Sequence, residues 1–322
     1  MLASRLTIAV SIAALLLIGC SDDSGSSGTP DKGPAADQAV ADSGPTADKG
    51  PGGDGPAGDG PGGDQGPAGD QGPAGDTLAA QNEKEPNNGS TATEFNAIQV
   101  PALIKGAIGQ ANDADLFGVD AKAGERWVVT VKTDGTLEPH VAVFDPAQDA
   151  PTAVSQGAGD VMAEYYVLKT TQMLIAVRDR RNVGSGAQNV GGSAFTYTLS
   201  VLPLNRPPKQ VQIGSLTTGT LSPPGTVRVF SFSATSGDKL VLEVAAKKLS
   251  PPSDVDSRLS LFHPAQKAWL GTNDNPSLSE SDSVLKSSSG LPFTGTYHAI
   301  VENVADTIGS NLAFTLKIGK LP

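Results

Sequence analysis

The sequence predicts an all-β protein: two tandem antiparallel β-sandwich domains, jelly-roll-like, behind a disordered tether. Three observations predict it. Apolar residues beyond position 100 alternate with polar ones at period two. Turn signals fall at intervals of about ten residues, as between short antiparallel strands. Residue intervals in one half of this region recur in the other.

The 322-residue chain opens with Arg5, an apolar-leaning run from Leu6 to Ile18, the small Gly19 and then Cys20, the one cysteine present. A positive start, a short apolar stretch and a small residue make the layout of an export signal over residues 1–19. A helix needs about 20 apolar residues to cross a bilayer, so this run is too short to span one. Leu17-Ile18-Gly19-Cys20 resembles the bacterial lipoprotein lipobox. That resemblance implies cleavage before Cys20, lipidation of Cys20 and attachment to a membrane through the lipid anchor. The alternative, a plain secretory signal, leaves a lone cysteine without a role.

Residues 20–80 form the tether. Beyond Cys20 they are mainly Gly, Pro, Ala, Asp, Ser and Gln, with no aromatic residue. So little apolar surface cannot offset the roughly 1 to 2 kcal/mol that ordering each backbone residue costs. Eleven aspartates, from Asp22 to Asp76, face only Lys32 and Lys49. The tether therefore carries −9 of the chain's net −11, and the rest is close to neutral. That balance argues against nucleic acid as a partner. Gly60, Gly63, Gly66, Gly69, Gly72 and Gly75 give a collagen-like linker spacing, but the triplets are too few for a stable triple helix. As a spacer the segment reaches from about 45 Å as a coil to roughly 190 Å fully extended. Ser21-Asp22-Asp23 resembles the sorting signals of surface lipoproteins, which implies the outer membrane and the cell surface, with its periplasmic face as the alternative.

The folded part divides at its proline-rich linker, Pro203 to Pro208, into domains over 81–203 and 204–322. In the first, Trp127, Val129 and Val131, then Val141 and Val143, alternate as strands, and Phe195, Tyr197, Leu199 and Val201 close the domain. In the second, Val227 and Val229 lead to Leu240, Leu242 and Val244, and Phe314, Leu316 and Ile318 close it. Ala123-Gly124, Asp134-Gly135, Asp145-Pro146, Ser236-Gly237-Asp238 and Asn275-Pro276 punctuate them. Gly106 precedes Phe117 by eleven residues and Gly124 follows by seven; Gly219, Phe230 and Gly237 repeat both intervals. Phe144-Asp145-Pro146-Ala147-Gln148 is echoed by Phe262-His263-Pro264-Ala265-Gln266.

The first repeat reads Glu83-Lys84-Glu85-Pro86-Asn87-Asn88, then Gly106, then Asn112-Asp113-Ala114-Asp115-Leu116-Phe117. This resembles the bacterial pre-peptidase C-terminal (PPC) domain, and within that group the collagen-binding modules of clostridial collagenases. The resemblance implies calcium in the first domain only, held by Glu83, Glu85, Asn87 and Asn88 with Asn112 and Asp115. Calcium takes six to eight oxygen ligands, and two such segments can supply them together. With three carboxylates among six positions, the expected affinity is in the millimolar range. The second repeat has Pro223-Pro224-Gly225-Thr226 in place of the acidic turn. Asn273-Asp274-Asn275 with Glu280 and Asp282 reads as a solvated loop.

His140, His263 and His298 stand in separate strands, and no zinc-protease, nucleophile-elbow or phosphate-loop motif occurs. An enzyme is not expected. Tyr165 and Tyr166 are adjacent, so a strand would turn one outward; that one and Trp269 are the expected ligand contacts. The function implied is non-catalytic presentation of two sandwiches for binding a protein matrix, a polysaccharide or a partner enzyme. A display protein with no specific ligand is the alternative, and a hydrolase assembled from distant strands is a third.

Overall fold

The computed structural model describes residues 78–88, 94–133, 135–145, 153–184, 186–274, 282–304 and 309–322. The expected signal segment, the expected lipid attachment at Cys20 and most of the expected tether lie outside them. Strands account for nearly all the regular structure, and among the described residues the one helical element is a 3-10 turn, Arg180–Asn182.

The first sandwich runs through β1 (Gln81–Asn82), β2 (Asn96–Ile98), β3 (Ala102–Ala107), β4 (Ala114–Ala121) and β5 (Arg126–Thr133). It continues through β6 (Pro139–Phe144), β7 (Ala153–Gln156), β8 (Val161–Tyr166), β9 (Thr171–Asp179) and β10 (Thr196–Pro203). The second runs through β11 (Lys209–Gln210), β12 (Leu216–Thr220), β13 (Arg228–Ala234), β14 (Leu240–Ala245) and β15 (Ser257–His263). It ends with β16 (Ala268–Asn273), β17 (Val284–Ser287), β18 (Gly295–Asn303) and β19 (Ala313–Lys320).

The sheets of the first sandwich are ordered β1-β3-β10-β5-β8 and β2-β4-β9-β6-β7; those of the second, β12-β19-β14-β17 and β11-β13-β18-β15-β16. Removing β1 makes the two orders identical. Register confirms the match residue by residue. Tyr197 pairs with Gly106, and Phe314 pairs with Gly219. A β-carbon on either glycine would come within 2.4 Å of the opposing ring, so only glycine lets the aromatic side chain lie across the strand. Each sandwich encloses its own core, around Phe117, Trp127 and Val129 in the first and Phe230, Phe232 and Leu242 in the second. Side chains alternating at period two supply these inward rows.

Val227 and Val229 alternate with their neighbours as read, but the core-facing phase is that of Phe230 and Phe232. The valines instead join a small apolar cluster with Ala123, Tyr166, Phe262 and Ile300, which packs the two sandwiches together. Polar contacts flank that cluster. Glu164, buried at the junction, accepts a hydrogen bond from the Val227 amide at 2.9 Å and pairs with Arg206 of the linker. The Glu164 amide donates to the Gly225 carbonyl at 2.7 Å. Gly225 has φ +80, and a β-carbon there would meet the Met162 carbonyl at 2.3 Å.

This junction corrects one expectation. Tyr165 and Tyr166 do point to opposite faces of β8, yet neither is open to solvent. Tyr165 is in the first core, with its ring 6.1 Å from that of Trp127. Tyr166 points out of the first sandwich and is covered by the second, 5.3 Å from the Phe262 ring, its hydroxyl 2.9 Å from His298 Nδ1.

Candidate metal centre

The opening segment that precedes β2 is a strap across one end of the first sandwich. β1 pairs parallel to β3, Gln81 beside Ile104 and Asn82 beside Lys105, and the Glu83 amide extends the pairing to the Lys105 carbonyl at 3.0 Å. Asn87, fully buried, ties down the other end when its carbonyl accepts from the Leu116 amide at 2.9 Å. Between these two ties the chain carries Glu83 and Glu85 over the start of β4. There Asp115 begins the inward row that continues with Phe117 and Val119.

One carboxylate oxygen from each of Glu83, Glu85 and Asp115 lies within 4.8 Å of the others, the one such acidic group among the described residues. Asp115 is fully buried and Glu85 is at the exposed rim. Glu83 Oε1 accepts from the Ala107 amide at 2.6 Å. Its Oε2 lies 2.8 Å from the Tyr197 hydroxyl, and Asp115 Oδ2 lies 2.6 Å from that same hydroxyl. One phenolic proton therefore serves two carboxylates. Another proton, or a cation, is needed to hold them together.

The electrostatics point the same way. Burial and the adjacent Glu83 carboxylate push the Asp115 pKa up to about 9, against a weaker opposing effect of the Tyr197 hydrogen bond. Glu85 is raised too, by partial burial and by Asp113, with the Asn87 amide countering and Glu83 adding to it. Tyr197 is pushed well above the usual phenol range by burial, Asp115 and Glu83. Each group is harder to ionise because it is buried and, secondarily, because its neighbours are acidic; a bound cation would oppose both effects. The donors are hard oxygens, partly buried and from two separated segments, which fits calcium better than a soft-ligand metal.

The structure brings the carboxylates of Glu83, Glu85 and Asp115 together, with the Asn87 amide donating to Glu85 Oε2 at 3.1 Å. Asn87 is buried in the strap, and the Asn88 Oδ1 accepts from the Asn87 amide at 3.0 Å. Asn112 is exposed at a left-handed turn, φ 60. Asp113, two residues before Asp115, is 4 % exposed and closes that turn, accepting from the Gly109 amide at 2.9 Å and the Ala114 amide at 3.1 Å. Tyr197, whose hydroxyl reaches both Glu83 and Asp115, belongs to the centre, and Asp113 acts on it as a nearby charge; neither was singled out from sequence. A signal for Tyr197 was present: its counterpart in the otherwise matching repeat is Phe314, so the hydroxyl is the difference.

The second sandwich shows what the fold does at this place without the acidic strap. Register places Arg228 at the position of Asp115. Its Nε donates to the Thr220 carbonyl at 2.7 Å and its Nη2 to the Ser222 carbonyl at 2.9 Å. One repeat thus has a guanidinium where the other has three carboxylates. Of the expected acidic loop, residues 275–280 lie outside the described residues. Asp282 caps a strand end, its Oδ1 accepting from the Ala246 and Lys247 amides, as Asp160 does for Thr133 in the first sandwich.

Trp269, on β16, is 38 % exposed and lies at the junction, with Lys169 Nζ of the first sandwich 4.1 Å from its ring centre. With Tyr166, Arg258 and Glu302 it lines a cleft of about 200 Å3. The histidines are packed into structure. His140 is buried, its pKa pushed down to about 3 by burial and Arg178. His263 Nδ1 accepts from the Gln266 amide at 3.2 Å.

No family model and no curated protein matches this chain. Solved structures do. One is the pre-peptidase C-terminal domain of a collagenase from Bacillus anthracis, 14% identical, covering 36% of this chain and 99% of its own, with a TM-score of 0.28. PliG of Aeromonas hydrophila, a periplasmic inhibitor of g-type lysozyme, is 14% identical over 36% of this chain and 100% of its own, at 0.25. The CUB1-EGF-CUB2 region of human MASP-1/3 is 8% identical over 67% and 98%, at 0.20. Scores this low transfer no function.

Proposed function

We propose that this protein is a non-catalytic outer-membrane lipoprotein, anchored through Cys20, that presents two docked β-sandwiches at the cell surface for binding. Calcium, held by Glu83, Glu85 and Asp115 with the Asn87 and Asn88 region beside them, fastens the strap to the first sandwich. The observation that carries this reading is the three-carboxylate centre, whose members come from both the strap and the sheet. Because the strap directly follows the tether, closing the centre fixes the point at which the tether leaves the domain. Calcium supplies positive charge there; the chain supplies hard oxygens, the hydroxyl of Tyr197 and the hydrogen bonds of Glu83 that aim them.

The packing of the two sandwiches supports joint action, since Glu164, Arg206 and Tyr166 hold them in one arrangement. A protein matrix or an envelope polysaccharide is the ligand class this presentation suits. The test is retention of the full-length chain on insoluble collagen and on polysaccharide matrices, with calcium and with EDTA. Retention that requires calcium and is lost on Glu83→Ala/Glu85→Ala supports the reading. Equal behaviour of wild type and variant on every matrix refutes it.

A further inference from the structure

The one strand without a counterpart is β1. In the first sandwich it covers the outer edge of β3. In the second, the equivalent strand β12 ends its sheet, with no described strand beyond it. The Lys105 carbonyl, which in the first sandwich receives the Glu83 amide, corresponds to the Thr218 carbonyl, which instead meets Lys209 Nζ at 3.3 Å. A lysine laid along an edge is a reversible cover, since its ammonium can return to water. Leu216, on the same strand, is 65 % exposed, the most exposed large apolar side chain among the described residues.

Charge identifies what fits there. A strap paired with β12 as β1 pairs with β3 would bring its Glu83 to Arg228 instead of Asp115, and past Phe314 instead of Tyr197. On its own sandwich the strap's Glu83 meets another carboxyl group; on the second sandwich it would meet a guanidinium.

We propose that the outer edge of β12 is a strand-docking site whose occupant is the opening strap, residues 81–85, of a second copy of this chain. Without calcium, Glu83 and Glu85 crowd a buried carboxyl group with only the Tyr197 hydroxyl between Glu83 and Asp115, which leaves the strap more weakly held on its own sandwich and favours its exchange to Arg228 of a neighbour. Calcium closes the strap at home and suppresses exchange. The calcium dependence rests on the centre proposed above; the strand pairing does not. The contact joins different surfaces of the two copies, so it generates either a reciprocal pair or a longer assembly.

The test uses the full-length chain carrying Cys20→Ser with Asn82→Cys and Thr218→Cys, the residues that the β1 register would place side by side. Under mild oxidation in EDTA, disulfide-linked species of two or more chains are expected, and calcium should reduce them by about tenfold. Sedimentation of the unsubstituted chain should show the same calcium-sensitive association, and Arg228→Glu should abolish it. A monomer under all conditions, a disulfide confined within one chain, or association indifferent to Arg228→Glu overturns the proposal. Calcium binding measured in parallel separates the two ideas: binding without any association overturns strand docking alone.

Discussion

Asp115→Asn should stabilise the calcium-free protein. With a folded-state pKa of about 9 against an ordinary 3.8, the Asp115 carboxyl stays protonated at pH 7, where the unfolded chain has released its proton. Holding that proton about three pH units above the ordinary value costs up to about 4 kcal/mol. The site is partly buried and open at Glu85, so solvent screens part of that cost and a gain of about 2 kcal/mol is the expectation. The sign fixes the pH dependence. Between about pH 4 and pH 9 the folded state binds the extra proton, so in EDTA wild-type stability falls as pH rises through that window. The variant should lose most of that slope. Saturating calcium should raise wild-type stability by about 2.7 kcal/mol at a hundredfold excess over its dissociation constant and leave the variant nearly unchanged. Urea unfolding from pH 5 to 9, in EDTA and in calcium, measures all of this. A variant less stable than wild type in EDTA, or with an equal pH slope, would refute the reasoning.

Four further outcomes follow from the junction. Glu164→Ala leaves the Val227 amide without its acceptor, while Arg206, 40 % exposed, keeps its bond to the Val227 carbonyl; it should cost about 2 kcal/mol and split a shared calorimetric transition into two. Gly225→Ala, forced against the Met162 carbonyl, should split it as well. Burial, Arg126 and His263 push the His298 pKa down to about 4, so the unfolded state gains a proton that the folded state refuses as pH falls below 6.5. Stability should therefore drop between pH 6.5 and about 4, less steeply in His298→Gln, as denaturation midpoints would show. Acrylamide should quench Trp269 and not the buried Trp127, and Lys169→Ala, by uncovering the ring, should increase that quenching, which fluorescence titration would reveal.

Much of this architecture was legible in the residues. Alternation at Trp127, Val129 and Val131 marks a strand with one buried face, and the Gly106/Gly219 and Phe117/Phe230 intervals mark equivalent places because each glycine lies against the same aromatic position. Glu83, Glu85 and Asp115 are named only through what the opening and strand-entry motifs resemble, and the structure brings one carboxylate oxygen of each within 4.8 Å of the others. Tyr197 could not be named so, because its role depends on the register that lays its hydroxyl over Gly106. The junction was hidden for a related reason. Tyr165-Tyr166 reveals two faces of a strand, but which body covers the outer one depends on Val229, Phe262 and Ile300 of another domain. Their sequence context did carry a trace: Val229-Phe230, Leu261-Phe262 and Ile300-Val301 are apolar in both phases, as strands buried on both sides are.

The central claim is that the strap closes on the first sandwich around one calcium ion, and calorimetric titration of the full-length chain tests it most directly. The account predicts one saturable site per chain with a dissociation constant of about 1 mM or tighter, accompanied by a higher melting temperature and absent from Glu83→Ala/Glu85→Ala. No heat and no change in melting temperature up to about 5 mM calcium, or equal binding by the variant, would contradict it.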